Sequence, residues 1–192
     1  LKAILMGHDA LLAGSADIVV AGGMESMSNA PYLLHRAREG YRLGHAPLID
    51  HMFYDGLEDA YDKGKLMGEF AEICATEYQF TRAEQDAFAT ESLKRAQKAC
   101  AEKIFANELI PVVVKTRQGE IIVVMDEHPG SVDIGKIPTL KSAFSLNGTI
   151  TAANASSIAD GAAAVVLIRE SEAKKYGVKS LARIVAHATF AK

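Results

Sequence analysis

The fold is decided by one stretch, residues 17–31, which reads DIVVAGGMESMSNAP. Its first part, Asp17 to Ala21, is a short apolar run that predicts a buried strand. The pair Gly22-Gly23 that follows predicts a tight turn, at which the backbone can approach another segment closely. Upstream, apolar residues between Lys2 and Ala13 repeat on one helical face, and Gly14 ends that helix. Helix, glycine and apolar strand in this order are typical of an α/β fold.

A long helix and a hairpin are predicted in the middle of the chain. Thr81 and Glu84 have the spacing of a capping box, in which each side chain accepts a hydrogen bond from the other residue's backbone N–H group. The residues that follow are good helix formers and predict a helix that continues towards Lys103. The β-rich runs 111–115 and 120–124, joined by a short glycine-containing loop, predict a β-hairpin.

Small residues dominate the chain between residues 148 and 164. Such a density of small side chains allows the backbone to lie against a ligand or against another strand. Residues 165–168 predict a strand, which a short helix follows, capped by Ser171 and closed by Gly177. The last apolar run, residues 181–186, predicts a final strand.

The bulk properties describe an ordinary globular protein of 192 residues with a formal net charge of -3. The weak acidity gives no reason to expect nucleic acid or an anionic membrane as a partner. No apolar run reaches the ~20 residues that a membrane-spanning helix needs. Two cysteines are too few for a disulfide scaffold and suit a reducing, cytoplasmic environment.

Local spacing alone assigns no reaction to this chain. Gly22-Gly23 lacks the third glycine of a dinucleotide-binding fingerprint. Cys74 and Cys100 lie among alanines in helix-like sequence, which favours small buried thiols over nucleophiles. The six histidines show no i, i+4 pairing, so we expect no metal-binding cluster.

Residues 29–57 form a segment without clear periodicity, interrupted by proline and glycine. Long excursions of this kind in compact domains are usually functional or interfacial. Arg36, Arg38 and Arg42 place positive charge on it. These arginines could hold an anion, although a solvated or intersubunit face is the commoner role.

Several motifs in register resemble those of the thiolase family. Residues 22–31 are similar to its GGMESMS-x-AP signature, and residues 148–156 with 160–164 resemble its GTVTAGNAS…DGAAA segment. Leu66-Met67-Gly68 and Gln85 to Ala89 resemble parts of the family's loop domain. The similarity runs essentially from end to end in the same order. Long motifs in a shared order are far more specific than any one of them.

The resemblance implies part of a layered αβαβα fold of the α/β class. Residues 1–27 would end the first core segment of the N-terminal thiolase domain, and residues 28–157 would form the loop domain. Residues 158–180 would return to the core, and residues 181–192 would start the C-terminal domain. Because the chain starts inside a predicted helix, we expect it to be an interior piece of a longer polypeptide. The apolar strand faces, at Ile18, Val20, Val165 and Leu167, are then expected to be uncovered.

The reaction implied by the resemblance is a reversible Claisen condensation of two acetyl-CoA molecules, or thiolysis of a 3-ketoacyl-CoA. The family's catalytic motifs are Cys-x-Ser-Gly, Asn-Glu-Ala-Phe, Gly-His-Pro and a second-cysteine motif, and none occurs in these 192 residues. We therefore assign no catalytic residue and expect the chain alone to be inactive. Two alternatives are a ketoacyl-synthase or HMG-CoA-synthase chemistry on the same fold, and a non-catalytic CoA-binding or assembly module.

The resemblance also implies a set of residues that line the path of coenzyme A, the substrate carrier, with no other cofactor. They are Leu57, Leu66, Met67, Lys136, Leu140, Phe144, Ala152 and Ser156. Two departures bear on this set: some members carry histidine where Leu66 stands, and glycine is common where Ala153 stands. The segment from His35 to Leu57 resembles the tetramerisation loop of thiolases, so we expect a homotetramer in the full-length protein.

Overall fold

A computed structural model describes residues 1–190 of the chain. The helices are α1 Lys2–Leu12, α2 Met67–Glu77, α3 Arg82–Ala101, α4 His128–Ser131 and α5 Glu170–Lys175. The strands are β1 Ile18–Ser26, β2 Tyr32–Leu33, β3 Ile49–Asp50, β4 Val112–Thr116, β5 Gly119–Val123 and β6 Asp160–Ile168. A π-helical turn spans Met52–Leu57, and 3-10 turns span Met27–Asn29 and Ile134–Thr139.

These elements divide into two compact units. The first unit contains Leu1–Pro31 and the residues from Ile158 onward, and the second contains Tyr32–Ser157. Both units contain helices and strands, which fits the predicted α/β class. Their assignment as core segments and loop domain stays a prediction. Among the described residues, no helix combines the length and apolar character needed to cross a bilayer.

The first unit is built on the antiparallel pair β1–β6. Its register runs from Ile18 opposite Ile168 to Ser26 opposite Asp160. The predicted turn at Gly22-Gly23 is wrong, because both glycines lie inside β1. A Cβ at Gly22 would overlap the carbonyl oxygen of Ala163 on the opposite strand. The glycine is thus required by a close approach of two strands.

Helix α1 packs on this strand pair through a glycine. A Cβ built on Gly7 would lie 2.9 Å from Cδ1 of Leu167 and 3.0 Å from Cγ1 of Val19. Leu11, on the same helix, is buried as well. The outer faces of the strands are uncovered, with Val20 exposed to 71% of its reference area. The prediction that β1 is a buried strand is therefore wrong, since none of the described residues of this unit forms a layer over that face.

The expected uncovering of apolar side chains is confirmed at three of its four positions. Ile18, Val20 and Val165 are exposed, whereas Leu167 is half-buried. Its Cδ1 lies against Gly7 of α1, which accounts for the difference.

Two predictions near the end of the chain are wrong. Helix α5 begins at Glu170 with Arg169 as its N-cap residue, so Ser171 is not the cap. Arg169 instead donates hydrogen bonds from Nη2 to the carbonyl oxygen of Ala16 at 2.8 Å and to Oδ1 of Asp17 at 2.7 Å. Residues 181–186 form no strand, because none of the described residues pairs with their backbone.

In the second unit the predicted capping box is confirmed. Oγ1 of Thr81 accepts a hydrogen bond from the backbone nitrogen of Glu84 at 3.2 Å, and Oε2 of Glu84 accepts one from the nitrogen of Thr81 at 2.8 Å. The helix that it opens, α3, ends at Ala101, close to the predicted end. The predicted hairpin is confirmed as β4–β5, with Thr116 opposite Gly119 at the turn.

Helices α1, α2, α3 and α5 each end in the same motif, in which two backbone N–H groups beyond the helix reach back to carbonyl oxygens of its last turn. At α2, the nitrogen of Phe80 donates to Ala75 at 2.9 Å; at α3, the nitrogen of Ile104 donates to Ala99 at 3.0 Å. The motif requires one residue with positive φ. Gly14 and Gly177 supply it for α1 and α5, whereas Gln79 (φ 56°) and Lys103 (φ 53°) supply it for α2 and α3.

Candidate functional site

One of the predicted CoA-path residues, Phe144, packs directly on the start of α2, the helix whose first residue is a second predicted residue, Met67. The ring of Phe144 lies against the Cα of Gly68, and a Cβ at Gly68 would overlap three of its ring carbons. Met67 precedes Gly68 in the same helical turn and is 45% exposed. Phe144 is half-buried in this contact. Glycine at position 68 is therefore what permits the aromatic ring to reach the helix.

Two further predicted residues lie beside this contact along the chain. Leu66 is the N-cap residue of α2, and its backbone nitrogen donates to Oε1 of Glu69 at 3.1 Å. Leu66 also forms an isolated antiparallel bridge with Glu58. Leu57, which ends the π-helical turn, directly precedes Glu58. The residues Leu57, Leu66, Met67 and Phe144 therefore gather around the first turn of α2.

A half-buried carboxylate joins α2 to the small-residue segment. Glu72 accepts hydrogen bonds from the backbone nitrogens of Thr149 at 2.9 Å and Ile150 at 2.8 Å, and from the Thr149 hydroxyl at 3.2 Å. A Cβ at Gly148 would overlap Oε1 of Glu72. Burial raises the pKa of this carboxyl, but the hydrogen bonds from Thr149 and Ile150 outweigh it and leave the pKa below its ordinary value.

The residues that follow Ile150 form a tightly hydrogen-bonded turn. The backbone nitrogen of Thr151 donates to Oδ1 of Asn154 at 2.7 Å, and Nδ2 of Asn154 donates to the carbonyl oxygen of Thr149 at 3.0 Å. Thr151 is fully buried, with 0% exposure. Ala152 and Ser156 lie on the exposed side of this segment. Their surfaces are therefore presented by a backbone that is fixed from beneath.

The remaining two predicted residues lie on a different element. Arg82 of α3 donates from Nη2 to the carbonyl oxygens of Ile137 at 3.1 Å and Leu140 at 2.9 Å. Its Nε donates to Oδ2 of Asp86 at 2.8 Å. Leu140 is half-buried, and Lys136 is exposed, with its ammonium 4.0 Å from Asp133. The arginine thus fixes the 3-10 turn that carries Lys136 without holding Lys136 itself.

None of the eight predicted residues lines either of two shallow depressions on α2. One, of about 360 Å³, is lined by Glu72, Ile73, Thr76 and Glu77. The other, of about 260 Å³, lies between the end of α2 and residues Asn147 and Thr149. The assignment of the eight residues to a CoA path stays a prediction.

Sequence reasoning missed the two polar residues that organise this region, Glu72 and Arg82. Both make hydrogen bonds to residues more than fifty positions away along the chain. One signal was present: Glu72 lies four residues after Gly68, on the same face of α2. The prediction of buried cysteines is also wrong, because Cys74 is exposed on α2 and Cys100 is half-buried on α3. Ala75 is the buried residue of α2.

Comparisons with known proteins give a consistent result. The family model described as "Thiolase, N-terminal domain" matches residues 1–171. A Schizosaccharomyces pombe protein named acetyl-CoA acetyltransferase is 46% identical over 187 residues, which cover 96% of this chain and 47% of that protein. The protein of the same name from Rhizobium meliloti is 46% identical over 192 residues, which cover 98% of this chain and 48% of that protein.

A solved structure gives the same picture at the level of the fold. The acetyl-CoA acetyltransferase of Syntrophomonas wolfei superposes with a TM-score of 0.82 and 40% sequence identity, over 93% of this chain and 45% of that one. The chain therefore spans about half of the length of the relatives that it matches.

Proposed function

This chain belongs to the thiolase family, and on that basis we propose that it forms the coenzyme A side of the substrate path in an acetyl-CoA C-acetyltransferase. The reaction is the reversible Claisen condensation of two acetyl-CoA molecules to acetoacetyl-CoA and free CoA, with thiolysis as its reverse. The observation that carries the proposal is 46% identity, over nearly the whole chain, to proteins named for this activity.

The part that this chain plays is binding and positioning. In the proposed reaction one cysteine takes the acetyl group from CoA and a second moves the α-proton, while an oxyanion hole stabilises the enolate. The family motifs that would carry these groups are not in the sequence. The proposed contribution of the eight CoA-path residues is to hold the carrier, so that the reacting thioester is delivered in one orientation.

The residues around α2 suit the pantetheine arm. A thin chain with two amide groups is best held by apolar walls and a few hydrogen-bonding groups. Phe144 and Met67 supply apolar surface at the first turn of α2, where Gly68 leaves room for the Phe144 ring. Ser156 supplies an exposed hydroxyl, and Lys136 an exposed ammonium for a phosphate.

A non-catalytic CoA-binding module is the second candidate. The observation that favours it is the presence of exposed residues that suit the carrier, among them Met67, Ser156 and Lys136. A module that binds CoA without catalysis would use the same contacts of the proposed CoA path, so these contacts do not separate the two candidates. An experiment that restores the catalytic motifs separates the two candidates.

The experiment is a chimera in which this chain replaces the matched 187-residue segment of the S. pombe relative. We expect the chimera to cleave acetoacetyl-CoA with CoA, measured as loss of the enolate absorbance. Phe144→Ala and Ser156→Val should each raise the KM for acetoacetyl-CoA and leave kcat nearly unchanged. Such contacts bind ground and transition states equally. Each variant should lose about 1–3 kcal/mol of binding free energy for the substrate.

Phe88→Ala is the matched control, because Phe88 is 80% exposed on α3 and should leave KM unchanged. A folded chimera that binds CoA but never turns over would favour the binding module. A fall in kcat at constant KM would remove Phe144 and Ser156 from the pantetheine path.

The assembly and cellular setting belong to the same proposal. The arginine-bearing residues 35–57 would make intersubunit contacts in a homotetramer; Arg36 and Arg38 are exposed there. Deleting residues 38–46 from the chimera should give dimers by light scattering, and unchanged tetramers would refute this role. A cytoplasmic location and a place in fatty acid metabolism stay proposals.

A further inference from the structure

Two histidines that are far apart in the sequence meet at one aspartate in the first unit. Nε2 of His187 lies 2.8 Å from Oδ1 of Asp9, and Nδ1 of His8 lies 3.8 Å from the same oxygen. The two imidazole rings meet edge to face, with their centroids 5.1 Å apart. One donor atom from each of the three residues falls within 4.8 Å of the other two.

The immediate surroundings leave one of these donors unused. Nδ1 of His8 is buried and has no hydrogen-bond partner among the described residues. Buried polar atoms are normally paired, so an orphaned ring nitrogen calls for an explanation. The side chains of His8 and His187 are mostly buried, at 16% and 22% exposure, whereas Asp9 at 61% leaves an approach from solvent.

The donor set matches one class of ligand. Two imidazole nitrogens and one carboxylate oxygen form a site for a divalent transition-metal ion, with zinc the most common occupant. Ligand bonds of about 2.0 Å in a tetrahedron put the donor atoms about 3.3 Å apart. The separations of 2.8 and 3.8 Å from Oδ1 of Asp9 lie on either side of that value, and a donor atom from each of the three residues lies within 4.8 Å of the others, so side-chain rotations would be needed to close the site on an ion.

We propose that His8, Asp9 and His187 bind a zinc ion, with water in the fourth position. The ion gives Nδ1 of His8 the partner that it lacks. It also fastens the segment around residue 187, which has no regular structure, to helix α1. A second contact supports the same attachment, since Nζ of Lys2 donates to Oγ1 of Thr189 at 3.0 Å. None of the site's three residues is among the eight assigned to the CoA path.

The test uses the 192-residue chain without an affinity tag, treated with chelator and titrated with zinc chloride near neutral pH. We expect one zinc ion per chain with a dissociation constant in the micromolar range by calorimetry. His8→Gln, Asp9→Asn and His187→Gln should each weaken binding at least about tenfold. His45→Gln, which changes an exposed histidine of the second unit, should leave the affinity unchanged.

Cobalt gives a second measurement that does not depend on stability. The Co²⁺-loaded chain should show the intense visible absorption of tetrahedral coordination, and His187→Gln should lose it while its circular dichroism is unchanged. Either of two results overturns the proposal. One is no saturable binding of zinc to the parent chain, and the other is binding that His8→Gln and His187→Gln do not weaken relative to His45→Gln.

Discussion

Both carboxylate oxygens of Glu72 lie 2.9 Å from the backbone nitrogen of Thr149, a residue 77 positions further along the chain. With the bond to the nitrogen of Ile150, this carboxylate satisfies two backbone donors of a segment that forms no helix or strand there. Loops that lack secondary structure must pair their buried N–H groups in some other way. Glu72 supplies that pairing for the segment that presents Ala152 and Ser156.

Glu72→Gln should therefore destabilise the chain. A glutamine keeps one acceptor oxygen but loses the charge and the second acceptor, so the expected loss in free energy of unfolding is about 1–3 kcal/mol. Glu77→Gln is the matched control, because Glu77 is exposed on the last turn of α2. Urea titration of both variants measures the difference. Equal stability of the two variants would mean that the hydrogen bonds to the Glu72 carboxylate contribute nothing to the free energy of unfolding.

The stability difference between the parent chain and Glu72→Gln should depend on pH. The pKa of Glu72 is lowered in the folded chain from 4.5, because hydrogen bonds to the carboxylate outweigh burial. A lowered folded-state pKa contributes stability that is present above 4.5 and is lost as the pH falls through the folded value. The stability difference between parent and Glu72→Gln should thus be full at neutral pH and shrink in acid. A difference that grows on acidification contradicts the assignment.

Gly68→Ala tests the contact with Phe144 by a double-mutant cycle. In the parent, the added methyl group would overlap the ring, so we expect a loss of about 1–3 kcal/mol from overpacking. In a Phe144→Ala background the obstruction is gone. There the alanine should stabilise α2 by up to about 1 kcal/mol, because it is the better helix former. A loss of the same size in both backgrounds would show that the two residues do not meet.

The ends of α2 and α3 predict stabilising substitutions. Gln79 and Lys103 hold φ values of 56° and 53°, a region that costs a side chain roughly 1–2 kcal/mol and costs glycine little. Gln79→Gly and Lys103→Gly should raise the free energy of unfolding by about 1 kcal/mol. Lys98→Gly, placed inside α3, should lower it by about 1 kcal/mol. Destabilisation by all three variants would argue against the left-handed conformation.

Sequence patterns predicted those parts of the fold whose causes are local. The capping box of Thr81 and Glu84 spans three residues, and the glycine stops at Gly14 and Gly177 need no distant partner. The same rule overlooked Gln79 and Lys103, because the motif tolerates side chains other than hydrogen at a cost in energy. The strand β1 was predicted too short, since its glycines are explained only by their pairing with β6.

The candidate site was less predictable, because its contacts join residues that are far apart in the sequence. Motif resemblance named Phe144 and Met67, but the fit between the ring and Gly68 depends on a contact across many residues. The pairing of His8 with His187 is invisible to any spacing rule, because 178 positions separate His187 from Asp9. Long-range pairs are set by the folded topology, and sequence periodicity carries no information about them.

The register of β1 and β6 has a consequence during synthesis. The two strands are joined only when Asp160 reaches Ser26, and the neighbouring bond from Ser28 to Asp160 already spans 132 residues. At roughly 5–20 residues per second, a ribosome needs on the order of ten seconds to supply β6 after β1 has been made. During that interval the backbone N–H and C=O groups of β1 lack their partner strand, and an exposed strand edge of this kind favours aggregation of the nascent chain.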